Sequence, residues 1–330
     1  MAIDFPDTET LRSALSLATR APSVHNSQPW RWRVGEQSLH LYRDPTVRLP
    51  HTDPEGRDLM LSCGAALHHG VVALAALGWR SRVTRLPNPA DPDHLAALTL
   101  HNCAAADLDV SLAAAIPRRR TDRRRYSAWP VPRGDIALMA ARAARAGMVL
   151  HRVGDVDGLA AVVHDAARLH DEDGGYVAEL AQWSGRFAAP VGVAARSVPV
   201  PGGPSSFPPR RFAAGVLSQP PTSDSAGEHA VILALGARDD DPMAWLRAGE
   251  ATSLVLLTAT ALGLASCPIT EPLELDHTRE IVRHSVFGDK AHPQMLLRVG
   301  WAPVNADPLP STPRRQLSEV TAYLDGSPLA

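Results

Sequence analysis

Lysine is almost missing from this chain. Of its 330 residues only Lys290 carries an ammonium group, so nearly all positive charge sits on arginine. That leaves "FGDKAHP" as the one place for a Walker-type phosphate lysine, and it lacks the glycine pattern such a loop needs. A Schiff-base enzyme is argued against on the same ground. Cysteine is scarce as well: Cys63, Cys103 and Cys267 are far apart, odd in number and form no CxxC pair. They read as small buried hydrophobes in a reducing compartment, not as a disulfide frame. No GxSxG elbow, HExxH helix or GxGxxG fingerprint occurs, which removes the serine-hydrolase, zincin and Rossmann readings. The start, "MAIDFPDTET", lacks the apolar core of a signal peptide. The longest apolar run, "SLVLLTATALGLASCPI" (253–269), is shorter than the ~20 residues of a membrane span and carries threonines and serines. A cytoplasmic protein without a membrane partner is the expectation. A net charge of −2 also argues against a general nucleic-acid binder.

What is present is an ordinary globular composition, 45% hydrophobic and 21% charged, in a chain long enough for one large domain or two of usual size. Periodicity predicts helices near 8–20, 55–78, 134–146, 157–182, 242–265 and 277–286. Strand-like runs fall near 30–42, 80–86, 95–101, 148–153, 230–236 and 295–300. Their loose alternation suggests a sheet covered by helices. Residues 197–228, rich in proline, glycine and serine, form a long irregular loop of the kind that serves as a lid or stays disordered. There is an internal echo too. "GAALHHGVVALAALGW" (64–79) lies without gaps on "GEATSLVLLTATALGL" (249–264), matching Gly64 with Gly249, Ala66 with Ala251, Leu77 with Leu262 and Gly78 with Gly263. A shorter echo sets "ATRAPSV" (18–24) against "AARAGMV" (143–149) in the same order, as expected of a duplicated unit.

Two stretches carry candidate chemistry. In "RRRTDRRRY" (118–126) an extended backbone puts Arg119, Thr121 and Arg123 on one side and Arg120, Asp122 and Arg124 on the other. Two guanidinium forks flanking a hydroxyl make a phosphate clamp; a solvated basic turn or a nucleic-acid patch reads equally well from this run alone. "TPRRQL" (312–317) offers a further arginine pair. "APSVHNSQPW" (21–30) holds Ser23, Asn26 and Gln28, uncharged donors and acceptors that suit a heteroaromatic edge or a polyol. Pro22 and Pro29 would fix its backbone, while Trp30 and Trp32 belong with the core. His68–His69 and "HDEDGG" (170–175) read as a helix face and an acidic turn, not as metal ligands.

Together, "APSVHNSQPWRW", the arginine–x–threonine–x–arginine element and "GLASCPITE" (263–271) before the strand "MLLRVGW" resemble the FMN-dependent nitroreductase superfamily. "DPEGRDLMLSCGAAL" (53–67), "WLRAGEATSLVLLTATALGLASCPITEPLEL" (245–275), "PQMLLRVGWAP" (293–303) and "TPRRQLSEV" (312–320) resemble its Acg branch most closely. The resemblance implies an α+β, nitroreductase-like sandwich: a mixed, mainly antiparallel sheet covered by helices. It also implies internal duplication, so that one chain mimics the usual intertwined homodimer. The halves would be residues 1–112 and 113–330, with 197–228 a candidate lid. One FMN per chain is implied, with NAD(P)H as transient hydride donor and nitroaromatics or quinones as small-molecule acceptors. Arg119, Thr121 and Arg123 would hold the phosphate, with Arg314 or Arg315 assisting. Pro22, Ser23, Asn26 and Gln28 would line the ribityl chain and ring from the other half, and Pro268, Ile269 and Thr270 would pass along the ring near N5. No amino-acid nucleophile is needed. The second half has lost the polar loop, and the first lacks both the arginine element and the Pro-Ile-Thr turn. A monomer acting as a pseudo-dimer is the default, with further dimerisation left open. A lid closed over the flavin would instead make an FMN-sequestering protein with little turnover.

Overall fold

The computed structural model describes residues 5–186, 189–200, 207–219, 229–304 and 306–329. The first half runs α1 (Thr8–Ala18), β1 (Trp30–Val34), β2 (Ser38–Arg43), α2 (Arg57–Ala76), β3 (Trp79–Arg85) and β4 (His94–Asn102). A short α3 (Asp107–Ala115) leads to the second half: α4 (Arg133–Arg145), β5 (Val149–Arg152), α5 (Val156–Glu172), α6 (Gly174–Gln182), β6 (Ser184–Arg186) and β7 (Val193–Ala194). It continues through β8 (Val231–Ala237), α7 (Pro242–Ala261), β9 (Ala265–Ile269), α8 (Asp276–Phe287) and β10 (His292–Gly300), and ends on α9 (Leu317–Val320) and β11 (Thr321–Tyr323).

The strands build two main sheets, ordered β11-β1-β2-β4-β3 and β5-β8-β10-β9. Apart from β11 the two orders are the same, as is the helix–strand–strand–long helix–strand–strand succession that feeds them, except that α5 to β7 and α8 occur in the second half alone among the described residues. Every pairing is antiparallel except β11 on β1, which is parallel, and the separate small pair β6 and β7, also parallel. The fold is therefore α+β and mainly antiparallel, in two sheets where the sequence reading expects one. Strand β11 crosses back to extend the first half's sheet beside Trp32 and Val34.

Local chemistry explains the elements that periodicity misplaces. "WRWRVGEQSLHLY" is two strands, β1 and β2, turning at Gly35. The predicted helix at 157–182 breaks where Asp173 caps α6, accepting from the backbone N–H groups of Gly175 and Tyr176. The predicted helix reaching 265 stops at Leu262 because Gly263 takes a φ of +82°; Gly78 ends α2 in the same way at +87°.

Helices α2 and α7 cross at the centre, between the sheets. A Cβ built on Gly64 would lie 2.0 Å from the Leu246 carbonyl oxygen, and one on Gly249 would lie 2.1 Å from that of Leu61. The contact is reciprocal, since Leu61/Leu246 and Gly64/Gly249 are matched positions of the sequence echo. Beside it the Ser253 hydroxyl meets Nδ1 of both His68 and His69, at 2.7 and 2.8 Å. Burial holds both imidazoles neutral, pulling His68 down to about 4. By length and composition α2 could cross a membrane, but most of it is buried inside this fold. Trp30 and Trp32 are wholly buried in the first core, and Cys63 and Cys267 are buried.

The crossing sets a sign. Glycine to alanine inside an ordinary helix gains about 0.5–1 kcal/mol, whereas Gly64→Ala or Gly249→Ala should lose about 1–3 kcal/mol through overpacking. Urea unfolding checks this against Gly134→Ala, whose Cβ meets nothing within 4 Å. Unchanged stability at both crossing positions would show that the helices separate at no cost.

Candidate functional site

Between the halves lies a cavity whose empty space, open solvent at its mouth included, is about 1040 Å³. The first half contributes Pro22, Ser23, Val24 and His25 from the loop after α1. It also contributes Asp58, Leu61, Ser62 and Ala65, which share one face of α2 by their three- and four-residue spacing. The second half contributes Thr121 and Arg123, Thr252 of α7, Cys267 to Glu271 along and beyond β9, and Met295 and Arg298 of β10. Phe207, Pro208, Pro209, Arg210 and Phe212, from the long loop, close the remaining wall. That loop therefore lies against the cavity where it is described; its residues 201–206 and 220–228 are outside the described residues.

The loop of residues 21–30 shows what its dense short polar groups do. His25, Asn26 and Gln28 all have positive φ, 48°, 54° and 52°, a costly run for residues with a Cβ. Hydrogen bonds hold it. The Ser23 hydroxyl accepts from the Gln28 N–H at 3.0 Å, and the Ser62 hydroxyl accepts from the Val24 N–H at 3.0 Å. The Asn26 amide donates to the carbonyls of Gly192 and Pro313, and Gln28 donates to that of Pro190 at 2.8 Å. The Gln28 carbonyl oxygen accepts from the Arg315 N–H at 2.9 Å.

Pro22 and Ser23 thus stand on the wall, whereas Asn26 and Gln28 do not. Their amides are spent clipping residues 190–192 and 313–315 to the strained loop, which corrects the expectation that they line the site. Thr121, Arg123, Pro268, Ile269 and Thr270 stand on the wall. The Thr270 hydroxyl is committed, donating to Glu274 at 2.6 Å. Arg123 lies over the Phe212 ring at 4.8 Å and donates to the Ser197 carbonyl.

Arg119 lies off the wall, two residues back along the segment that Thr121 anchors to Ser266 through a parallel bridge. It is 5% exposed, and its Nε and Nη1 find no partner among the described residues. Burial pulls it down to about 10, with Arg120 and Arg20 adding like-charge repulsion. Arg314 is pulled to about 9, by burial and then by Arg119, Arg20 and Arg120. Four guanidinium groups are gathered here, and the charges acting on Arg119 and Arg314 are other arginines. Arg314 is otherwise engaged, donating to the carbonyls of Thr19, Arg20 and Ala21 that end α1 and to Asn26. Arg315 is outside the group: it pairs with Asp44 at 3.2 Å and with Glu319. The other side of the segment behaves as alternation requires, Arg124 gripping Asp122 through two bonds of 3.0 and 2.8 Å.

Several cavity residues escape sequence reading. Arg210 crosses from the loop to bind Glu274 with both ends of its fork, and also meets Tyr176 and Thr270. Burial and the Glu274 charge push Glu271 up to about 7, against Arg210. His25 stays neutral, its basicity cut by burial and then by Arg210 and Arg123, with its ring edge-on to Phe212. The Thr252 hydroxyl is buried and unpartnered among the described residues. One signal was available: Asp58 and Ser62 are polar positions four apart in the mainly apolar first turns of α2.

Comparison with known proteins places these features in a family. A model described as "Nitroreductase family" matches residues 116–301. The chain is 58% identical over 324 residues to "Putative NAD(P)H nitroreductase Rv3131" of Mycobacterium tuberculosis H37Rv, covering 98% of this chain and 94% of that one. It is 35% identical over 318 residues to "Putative NAD(P)H nitroreductase acg" of the same organism, covering 95% of each. Among solved structures, the FMN-dependent nitroreductase NfnB from Mycobacterium smegmatis in complex with NADPH aligns at 17% identity with a TM-score of 0.42, over 66% of this chain and 99% of that chain. By identity and coverage, this chain belongs to the nitroreductase family.

Proposed function

We propose that the chain is an FMN-dependent oxidoreductase that holds one flavin per polypeptide and passes hydride from NAD(P)H to small acceptors such as nitroaromatics and quinones. Arg119 carries this reading. A buried guanidinium with unpaired N–H groups beside three like charges is costly unless an anion joins it. A terminal phosphate dianion fits that need, because arginine forks match its oxygens. Arg119 would take the phosphate with the Thr121 hydroxyl, while Arg314 adds charge and fixes the frame rather than spending its bonded donors. Leu61, Ala65, Pro268 and Ile269 offer apolar walls to a ring, and the free Thr252 hydroxyl offers one hydrogen bond to a polar edge. When bound, the flavin supplies the hydride and electron transfer. The chain's own part is to hold it, exclude water and set charge around it.

Duplication and fusion are part of the same reading, supported by the matched strand orders and the reciprocal glycine crossing. Extending the ungapped echo sets Ala65 and Thr270 of the cavity wall against Glu250 and Arg85. Those two form a bidentate ion pair of 2.6 and 2.8 Å, which supports one open cavity per chain and a monomer acting as a pseudo-dimer.

A second reading, flavin sequestration, is favoured by the loop wall and its Arg210–Glu274 attachment. Mixing holo-protein with NADPH or NADH in a stopped-flow instrument decides between them. Bleaching of the flavin absorbance supports the reductase. Bleaching only in the double variant Arg210→Gln/Glu274→Gln, which removes both charges of that pair together, supports sequestration.

The clamp has its own test by calorimetry. Arg119→Ala should weaken FMN binding by about 2–4 kcal/mol through lost charge-assisted bonds and leave riboflavin, which has no phosphate, nearly unaffected. Arg315→Ala should change FMN binding less than about tenfold, because that side chain already serves Asp44.

A further inference from the structure

We propose that Asp58 is the proton donor to the acceptor in the cavity, a role that rests on the oxidoreductase reading. Asp58 stands on the cavity wall in the first turn of α2, 3% exposed. Neither of its carboxyl oxygens takes part in a hydrogen bond with the described residues. Its contact with Arg57, at 2.5 Å, is one of charge: that guanidinium spends donors on the carbonyls of Gln294 and Leu273.

The helix start, which would ordinarily stabilise a carboxylate here, is already occupied. Asp53 accepts the backbone N–H groups of Asp58 at 3.0 Å and of Leu59 at 2.8 Å. Asp58 therefore gains none of the cap bonds; it has the Arg57 charge on one side and faces Asp53 on the other. Burial, with Asp53 and Glu274 raising and Arg57 and Arg210 lowering, pushes it up to about 7. A carboxyl poised there holds a transferable proton at neutral pH. Glu271 is pushed up comparably, with Arg210 as the largest charge opposing the rise, whereas for Asp58 that place belongs to its neighbour Arg57.

The step balances. As a quinone receives hydride, with its electron pair, from the reduced flavin, the Asp58 O–H bond breaks and a new O–H bond forms on the other quinone oxygen. The flavin is oxidised, the quinone leaves as hydroquinone, and Asp58 remains a carboxylate beside Arg57. Water reprotonates it after product release.

The test uses holo-protein reduced by dithionite and then mixed with benzoquinone or with ferricyanide, an electron acceptor that takes no proton. Asp58→Asn should slow quinone-driven reoxidation about 100-fold and abolish its fall above neutral pH, while the ferricyanide rate stays within twofold. Infrared difference spectra of the flavin-free protein should show a carboxyl band that titrates near neutrality and is absent from Asp58→Asn. A quinone rate within twofold of the parent, an equal loss with ferricyanide, a loss found instead in Glu271→Gln, or no such band in the parent protein would each overturn the assignment. Failure to bind FMN at all would overturn the oxidoreductase reading, and the flavin-free spectra would still report on the carboxyl.

Discussion

The molecule is organised by two helix backbones that touch where neither carries a side chain. At Gly64 and Gly249 any larger residue would press into a carbonyl of the opposite helix, so α2 and α7 meet backbone to backbone. That approach brings the wall face of α2, with Asp58, Leu61, Ser62 and Ala65, across from Thr252 of α7. The cavity follows from the crossing, since neither half alone supplies all its sides. The return of β11 to the first sheet and the clipping of residues 313–315 to the polar loop tie the halves together from the outside.

Around this frame, two kinds of polar residue do opposite work. Asn26, Gln28 and Arg314 are fully engaged: they satisfy carbonyls and hold a loop of left-handed residues that would otherwise relax. Arg119, Thr252 and Asp58 are buried with groups left unsatisfied. Leaving a buried polar group unsatisfied costs about 1–3 kcal/mol, more when it is charged, so the second set marks where a ligand is expected and the first where the scaffold is stiffened for it. The contrast identifies a site more sharply than polarity alone, because both sets look alike in composition.

That contrast also explains how much could be read from the sequence. Alternation in "RRRTDRRRY" set Arg119, Thr121 and Arg123 against Arg120, Asp122 and Arg124; Thr121 and Arg123 stand on the wall and Asp122 pairs with Arg124, whereas Arg119 lies off the wall with Arg120 beside it. The Pro-Ile-Thr turn and the glycine echo were visible because each depends on a local pattern. The tasks of Asn26 and Gln28 were not, because their partners lie more than 160 residues away at Pro190, Gly192 and Pro313. The choice between Arg314 and Arg315 turned on Asp44, which no neighbouring residue announces. Asp58 escaped notice because an acid in the first turn of a helix is ordinarily explained by the helix dipole. Only the structure shows Asp53 in that place.

On the proposed duplication, the matched positions of the two halves differ in how charge is neutralised. Where the open site has Ala65 and Thr270, the matched positions carry Glu250 and Arg85, joined through both ends of the guanidinium. Exchanging a methyl and a small hydroxyl for two long side chains fills space. Their opposite charges make the filling self-sufficient, since each removes the other's need for a ligand. Beside the cavity, Arg119 has no carboxylate of this kind, its Nε and Nη1 finding no partner among the described residues, and the requirement for an anion persists there. On the proposed duplication, the asymmetry comes from where charge is neutralised: by an internal ion pair at one set of matched positions, and by a bound anion at the other.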